Sequence, residues 1–231
     1  MLRKQKQFDF LEYLALGNNG NEPVVGERLP SLQELSEQEG VSISVLREQL
    51  RVARALGLVE VRPRTGIRRM AYSFAPAVQE SLFYALARDR SRFDQFADLR
   101  KHIERSYWRE AVASLSKEDH HELMELVERA WEKLHGEPIQ LPHLEHRELH
   151  LAIFRRLENT FVFGLLESYW EAYDEVGLSR YEGLDYLEEV WTYHRKIVEK
   201  IIAGDVEASF EALVEHFELI DKRPGVSADH A

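Results

Sequence analysis

The chain has 231 residues, 44% hydrophobic and 31% charged, a balance that can bury a core and excludes a disordered polymer. Net charge is -11, which argues against a chain coated with polyanion along its whole length, and the absence of cysteine excludes disulfide scaffolds, thiolate metal sites and cysteine nucleophiles. The longest apolar runs, such as residues 161–166, fall far below the ~20 residues of a membrane-spanning helix, and residues 1–6 lead into a segment broken by Asp9 and Glu12 rather than a signal-peptide core. A cytoplasmic protein with no membrane partner is expected.

In chain order, Phe8, Leu11, Leu14 and Ala15 predict a helix over 6–16, stopped by the glycine and asparagine run at 17–21. Ser31 as N-cap, with Glu34 three residues on, predicts a capping box for a second helix whose Leu32 and Leu35 face inward and which ends at Gly40. Ser42 caps a third helix running to about Ala55, with Val45, Leu46, Leu50 and Ala53 on one face, and Gly57 closes it. Residues 58–61 alternate as a short strand, 62–66 read as a hairpin turn and 67–70 as the return strand. Helix, helix, tight turn, helix and hairpin make a winged helix-turn-helix, whose third helix is the one offered to the major groove.

Beyond residue 75 the strand signals stop. Helical patterns cover 76–88, 93–115, 118–135, 143–157, 160–176, 183–203 and 205–221, broken at 136–138, 141–142, Gly177 and 204–205. The expected fold is mainly α. An N-terminal winged helix-turn-helix (1–70) is followed by a connector (71–92), an all-α bundle of six or seven helices (93–222) and a flexible tail (223–231).

Charge and histidine divide along the same seam. Residues 1–75 hold eleven basic and nine acidic residues, and 41–70 hold seven arginines against Glu48 and Glu60, a local net of +5 on an otherwise acidic chain. A basic face confined to one module is the electrostatic footprint of a nucleic-acid reader. All ten histidines lie at or beyond His102. His146 and His150 are four apart on one predicted helix and so point the same way. His194 and His216 fall on the last two helices among apolar neighbours (Val190, Ile197 and Val198; Leu213 and Ile220), and packing those helices together could join their imidazoles to the first pair. Four neutral imidazoles suit Zn, Ni, Cu or Fe. Taken singly, each would ordinarily be a surface or satisfied core histidine, and it is their joint spacing that points to a ligand set; His102, His120, His121, His135, His143 and His230 are read as surface residues. The stretch His146-Arg147-Glu148-Leu149-His150 differs from a zinc-hydrolase helix, since Arg147 stands where the general-base glutamate belongs. No catalytic residue is assigned.

The run 26–31 (Gly-Glu-Arg-Leu-Pro-Ser), followed by Glu34-Leu35, Gly40-Val41-Ser42, Leu46-Arg47-Glu48, Leu56-Gly57-Leu58-Val59 and the wing Gly66, resembles the DNA-binding domain of GntR-family transcription regulators. The helical half is similar to the FCD-type effector domain of the FadR subfamily, through Asp98-Leu99-Arg100, Ile103-Glu104, His194-Arg195-Lys196-Ile197, Ile202-Ala203-Gly204-Asp205, Ala212 and His216. The resemblance implies a homodimer that reads a palindromic double-stranded operator and responds to a small metabolite. Where relatives often carry basic residues this chain has Gln33 and Ile43, which leaves Ser42, Ser44 and Arg47 on the third helix and Arg62, Arg64, Thr65 and Gly66 on the wing as DNA-binding candidates. Arginine can grip guanine bidentately, which singles out Arg47 for base readout. Arg51 and Arg54 are read as solvated surface or phosphate steering.

The resemblance also implies a divalent metal, with Zn or Ni foremost, held by His150, His194 and His216. His146 occupies a position where metal-binding relatives carry aspartate, so the site is either all-histidine or three histidines completed by water or effector. Relatives point to a carboxylate effector, with Arg100 and Asn159 as candidate effector contacts; an ion pair with Glu104 is the alternative role for Arg100. A metal-free acyl-CoA sensor of the same architecture is the competing reading.

Overall fold

The computed structural model describes residues 8–17, 23–176 and 183–221. The predicted stop over 18–21, the break at Gly177, the tail 223–231 with His230, and the side chain of Ile220 lie outside the described residues, as do Arg3, Lys4 and Lys6. The chain divides into two compact units, residues 1–81 and 82–231. The division falls inside a helix of the expected connector.

In the first unit, α1 (Phe10–Leu16) starts later than its periodicity predicts, because the Asp9 carboxylate accepts from the Leu11 and Glu12 amides and acts as the N-cap. Helix α2 (Leu32–Glu39) carries the predicted capping box: the Glu34 amide donates to Ser31 Oγ at 3.2 Å and the Ser31 amide to Glu34 Oε2 at 2.7 Å. Gly40 ends it at φ 68°, a left-handed conformation that a side chain would strain, and so turns the chain tightly into α3 (Ile43–Ala55). Ser42 caps α3 by accepting from the Val45 amide. Of the predicted inner face, Leu46 and Ala53 are buried and Leu50 packs at its margin, but Val45 is 38% exposed, since it stands about 100° around the helix from Leu46.

Strands β1 (Val59–Arg62) and β2 (Gly66–Arg69) pair antiparallel, each displaced by one residue from the predicted span because Arg62 pairs with Gly66 across a three-residue turn. Arg28 bridges to Arg68, and Leu29 donates to the Ile67 carbonyl, so the stretch before α2 lines the outer edge of β2. A small core of Phe10, Leu14, Leu29, Leu35, Leu46, Ala53, Val59 and Ile67 fills the unit. The Gln49 amide group ties α3 to α1, accepting from the Phe10 amide and donating to the Phe8 carbonyl.

The chain continues with α4 (Ala75–Arg88), α5 (Arg92–Ala113), α6 (Lys117–Leu134), α7 (His143–Phe154), α8 (Thr160–Glu175), α9 (Leu184–Ile202) and α10 (Val206–Asp221). Helix α9 packs on α10 and α6; α5 packs on α10, α8 and α7; α7 packs on α6 and α8. Their shared core holds Trp108, Trp170, Trp191, Phe154 and Phe217, all essentially inaccessible to solvent. Among the described residues the fold is mainly helical with one two-stranded wing. No helix among them is long and apolar enough to cross a membrane.

The position of α7 matters most for the site. It stops at Phe154, short of the predicted 157, where the chain tightens and the Leu157 amide donates to the Phe154 carbonyl. Arg155 and Arg156 there converge on buried Asp119 at the start of α6, Arg155 Nη2 donating to Asp119 Oδ1 at 2.6 Å. Burial alone would raise the Asp119 pKa, but the Arg156 guanidinium, the Ser116 amide and Arg155 hold it well below the usual carboxylate range. Stability from this ion-pair cluster is therefore fully present above the unfolded-state value of about 3.9 and is lost progressively as pH falls from there toward the much lower folded-state value. Asp119→Asn is expected to lower stability by about 2 kcal/mol at pH 7. In denaturant melts the gap between variant and parent should narrow steadily below pH 4.

Candidate metal centre and nucleic-acid interface

The four predicted histidines converge. One turn of α7 sets His146 and His150 on the same face, α9 supplies His194 and α10 supplies His216, and one donor atom from each lies within 4.8 Å of all the others. His150 Nε2 and His194 Nε2 are 3.1 Å apart, and the ring centroids of His194 and His216 are 4.5 Å apart. His150, His194 and His216 are buried and His146 nearly so. Trp170 of α8 stands edge-on to His146 at 4.7 Å between ring centroids, and Trp191 of α9 stands similarly to His194 at 4.8 Å.

Burial, above all, pushes the pKa of all four imidazoles well below the usual 6.5; the Arg100 charge acts in the same direction on each, and Glu104 opposes it in part at His216. At neutral pH the rings are uncharged, the form in which histidine binds a metal. Several of their nitrogens have no hydrogen-bond partner despite burial: His146 Nε2, His194 Nδ1 and both nitrogens of His216. Unpartnered buried polar atoms are rare, and a cluster aimed at one point fits a cation that completes them. The donor set thus passes the chemical test for a divalent ion, and the cluster could hold one.

Arg100 and Glu104, one turn apart on α5, sit against this cluster. Arg100 Nε donates to Glu104 Oε1 at 2.7 Å and Nη2 donates to His150 Nδ1 at 2.9 Å, while the guanidinium lies 4.7 Å from the Tyr169 ring centroid. Burial opposes its charge, but Glu104 and Tyr169 together more than offset this and raise the Arg100 pKa. The ion pair with Glu104 is therefore present, and it places the guanidinium beside the histidines. Asn159, the other candidate effector contact, caps α8: its Oδ1 accepts from the Phe161 and Val162 amides, and its Nδ2 donates to Tyr107. Glu104 Oε2 is buried without a partner, a feature that sequence reading had no means to find. Arg147 pairs with Glu171 at 2.6 Å and Glu148 is exposed, so neither occupies a general-base position at the cluster.

On the first unit, Ser42, Ser44 and Arg47 are exposed at the start of α3. Arg62, Arg64 and Thr65 are exposed on the wing, Arg62 beside Glu60 at 2.9 Å and Arg64 at φ 67° on the turn. Gly66 (φ 79°) lets the Arg28 side chain approach; a Cβ there would meet Arg28 Nε at 3.3 Å. Arg28 thereby joins the wing arginines, a placement that depends on its bridge to Arg68. Arg51 pairs with Glu48 at 3.0 Å on the solvent side of α3, as a surface residue would. One member of the counted basic stretch leaves it: Arg69 is only 5% exposed, its guanidinium donating to the Leu14 carbonyl.

Family models match two segments. Residues 95–219, more than half the chain, match the FCD domain, and residues 20–68 match bacterial regulatory proteins of the gntR family. A search of curated proteins finds no match to the chain. Among solved structures, a GntR protein of Streptococcus agalactiae is similar at 22% identity and a TM-score of 0.67, over 92% of this chain and 95% of that one. E. coli McbR/YncC is similar at 22% identity and a TM-score of 0.50, over 92% of each chain. These likenesses carry the fold, and the two family matches carry the assignment. The chain belongs to the gntR family of bacterial regulatory proteins and is a DNA-binding transcription regulator whose helical part is an FCD domain.

Proposed function

We propose that the protein is a metal-containing, ligand-responsive transcription factor of the cytoplasm, which reads a palindromic operator as a homodimer and releases or tightens it in response to a small carboxylate. Residues 1–70 are the reader, 71–92 the connector and 93–222 the sensor. His150, His194 and His216, with His146 as the fourth donor, would hold a divalent ion, Zn or Ni before others, since uncharged imidazoles suit both. Bound there, the ion supplies a Lewis-acidic point for a carboxylate oxygen. Arg100, already charged and buried beside His150, would pair with the rest of that anion. The observation that carries this reading is the set of buried, uncharged, unpartnered imidazole nitrogens aimed at one another. The same set disfavours a metal-free acyl-CoA sensor, in which those nitrogens would stay unsatisfied. A hydrolase is disfavoured by Arg147 and Glu148, as described above.

In the reader, Arg47 would read a guanine edge. Ser42, Ser44 and the α3 amides would hold phosphate, and Arg62, Arg64, Thr65 and Gly66 would approach the minor groove. Effector binding changes operator affinity by a coupling energy of about 1–3 kcal/mol.

Metal analysis of purified protein is expected to give about one ion per chain, and the thermal midpoint should fall when a chelator is added. His194→Ala should weaken metal affinity by more than the ~10–100-fold typical of a lost outer-shell contact. A protein that remains metal-free at saturating zinc and nickel overturns the sensor assignment. In the reader, Arg47→Ala should cost about 1–3 kcal/mol of operator binding and relax preference at one base pair. Arg64→Ala should instead weaken binding without relaxing preference at any one major-groove base pair, most for half-sites with a narrow minor groove, and flatten the salt dependence. Anisotropy titrations at two salt concentrations separate these outcomes.

A further inference from the structure

Apolar side chains that lead into the exposed end of α3 are not used by the unit's own core. Ile43, the first residue of the helix, is half-exposed, and Val45 is exposed. The core of this unit and the apolar side chains packed against it include Val41 and Leu50 but neither of these two, among the described residues. Two β-branched residues in a first turn, one part-exposed and one exposed, add nothing to helix stability, since β-branching lowers helix propensity. They sit between Ser42 and Arg47 in a stretch whose exposed arginines (Arg47, Arg51, Arg54, Arg62 and Arg64) outnumber Glu48 and Glu60, so the surface complementary to them is polyanionic yet apolar at one point. In duplex DNA that point is the C5-methyl group of thymine, which stands in the major groove.

We propose that Ile43 is a specificity-determining residue that contacts a thymine methyl in each operator half-site. The inference rests on the DNA-reading role of α3. Ile43 and Arg47 are four residues apart and so adjacent on one helix face, with Cβ atoms about 5–6 Å apart. Bases along one strand rise about 3.4 Å per step. A thymine under Ile43 therefore lies one or two base pairs from the guanine that Arg47 grips, and the half-site contains that pair at fixed spacing. Glu48, the acidic residue on this part of the helix, is engaged by Arg51 at 3.0 Å and leaves the surface at Ile43 to apolar contact.

The test uses the full-length protein. Duplexes selected from a random library define the operator, and each half-site thymine is then replaced by deoxyuridine, which lacks only the methyl group. Anisotropy at fixed salt should show one thymine, within two base pairs of the guanine lost to Arg47→Ala, whose replacement weakens binding about fourfold, the value of one buried methyl. Ile43→Ala, checked to melt with the parent, should bind the thymine and uracil duplexes equally, and Ile43→Val should retain part of the difference. The proposal is overturned if no thymine replacement weakens the parent, or if the loss persists undiminished in Ile43→Ala. Selection that yields no consensus sequence overturns the DNA-reading role together with it, whereas a consensus without uracil sensitivity overturns this inference alone.

Discussion

Four imidazoles gathered inside a helical core set the terms for the whole second unit. Each buried nitrogen without a partner costs about 1–3 kcal/mol, and His146, His194 and His216 between them leave four such atoms. The surrounding bundle has to supply enough apolar burial to tolerate that cost, and it does so with Trp108, Trp170, Trp191, Phe154 and Phe217. Two of those indoles also form the walls against which the rings stand. The cluster is held from four directions: α7 by its packing on α6 and α8, α9 and α10 by their mutual contact, and α5 by its contacts with α7 and α10. No single helix could build it. A group of this kind, neutral and unsatisfied, could hold a cation, and as packing alone it is costly, because apolar residues of equal volume would pack at lower cost.

The charged pair beside the cluster follows the same logic. Arg100 could not remain ionised in so dry a place without Glu104, and its second contact, to His150 Nδ1, ties the pair to the histidines. Asp119 does similar work at the far end of α7, where Arg155 and Arg156 anchor the helix that carries two of the four rings. The site is therefore braced by buried electrostatics on two sides.

The reader is stabilised differently. Its core is small, so local devices carry much of the specification. Asp9, Ser31 and Ser42 cap three successive helices, Gly40 makes the turn between α2 and α3, and Gln49 fastens α1 to α3. This economy leaves the exposed face of α3 free of structural duty, and its first two turns present Ser44, Val45 and Arg47 to solvent with Ile43 part-exposed beside them.

Local chemistry was readable from the chain itself. Ser31 with Glu34, Gly40, Ser42 and the alternating hairpin are short-range signals whose physics does not depend on distant contacts, and the i, i+4 spacing of His146 and His150 already put both on one face. The joining of His194 and His216 to that pair was legible only as a possibility, since periodicity says which face of α9 or α10 is apolar but not which helix it meets. Arg69 could have been placed inside by the two-residue period it shares with Ile67, and Asn159 by the cap-forming type of residue before a helical run. The contact of Arg100 with His150, the orphaned oxygen of Glu104 and the walls of Trp170 and Trp191 had no sequence signal at all. Those features arise from residues tens of positions apart brought together by helix packing, and packing is decided by the fit of whole surfaces rather than by any one segment.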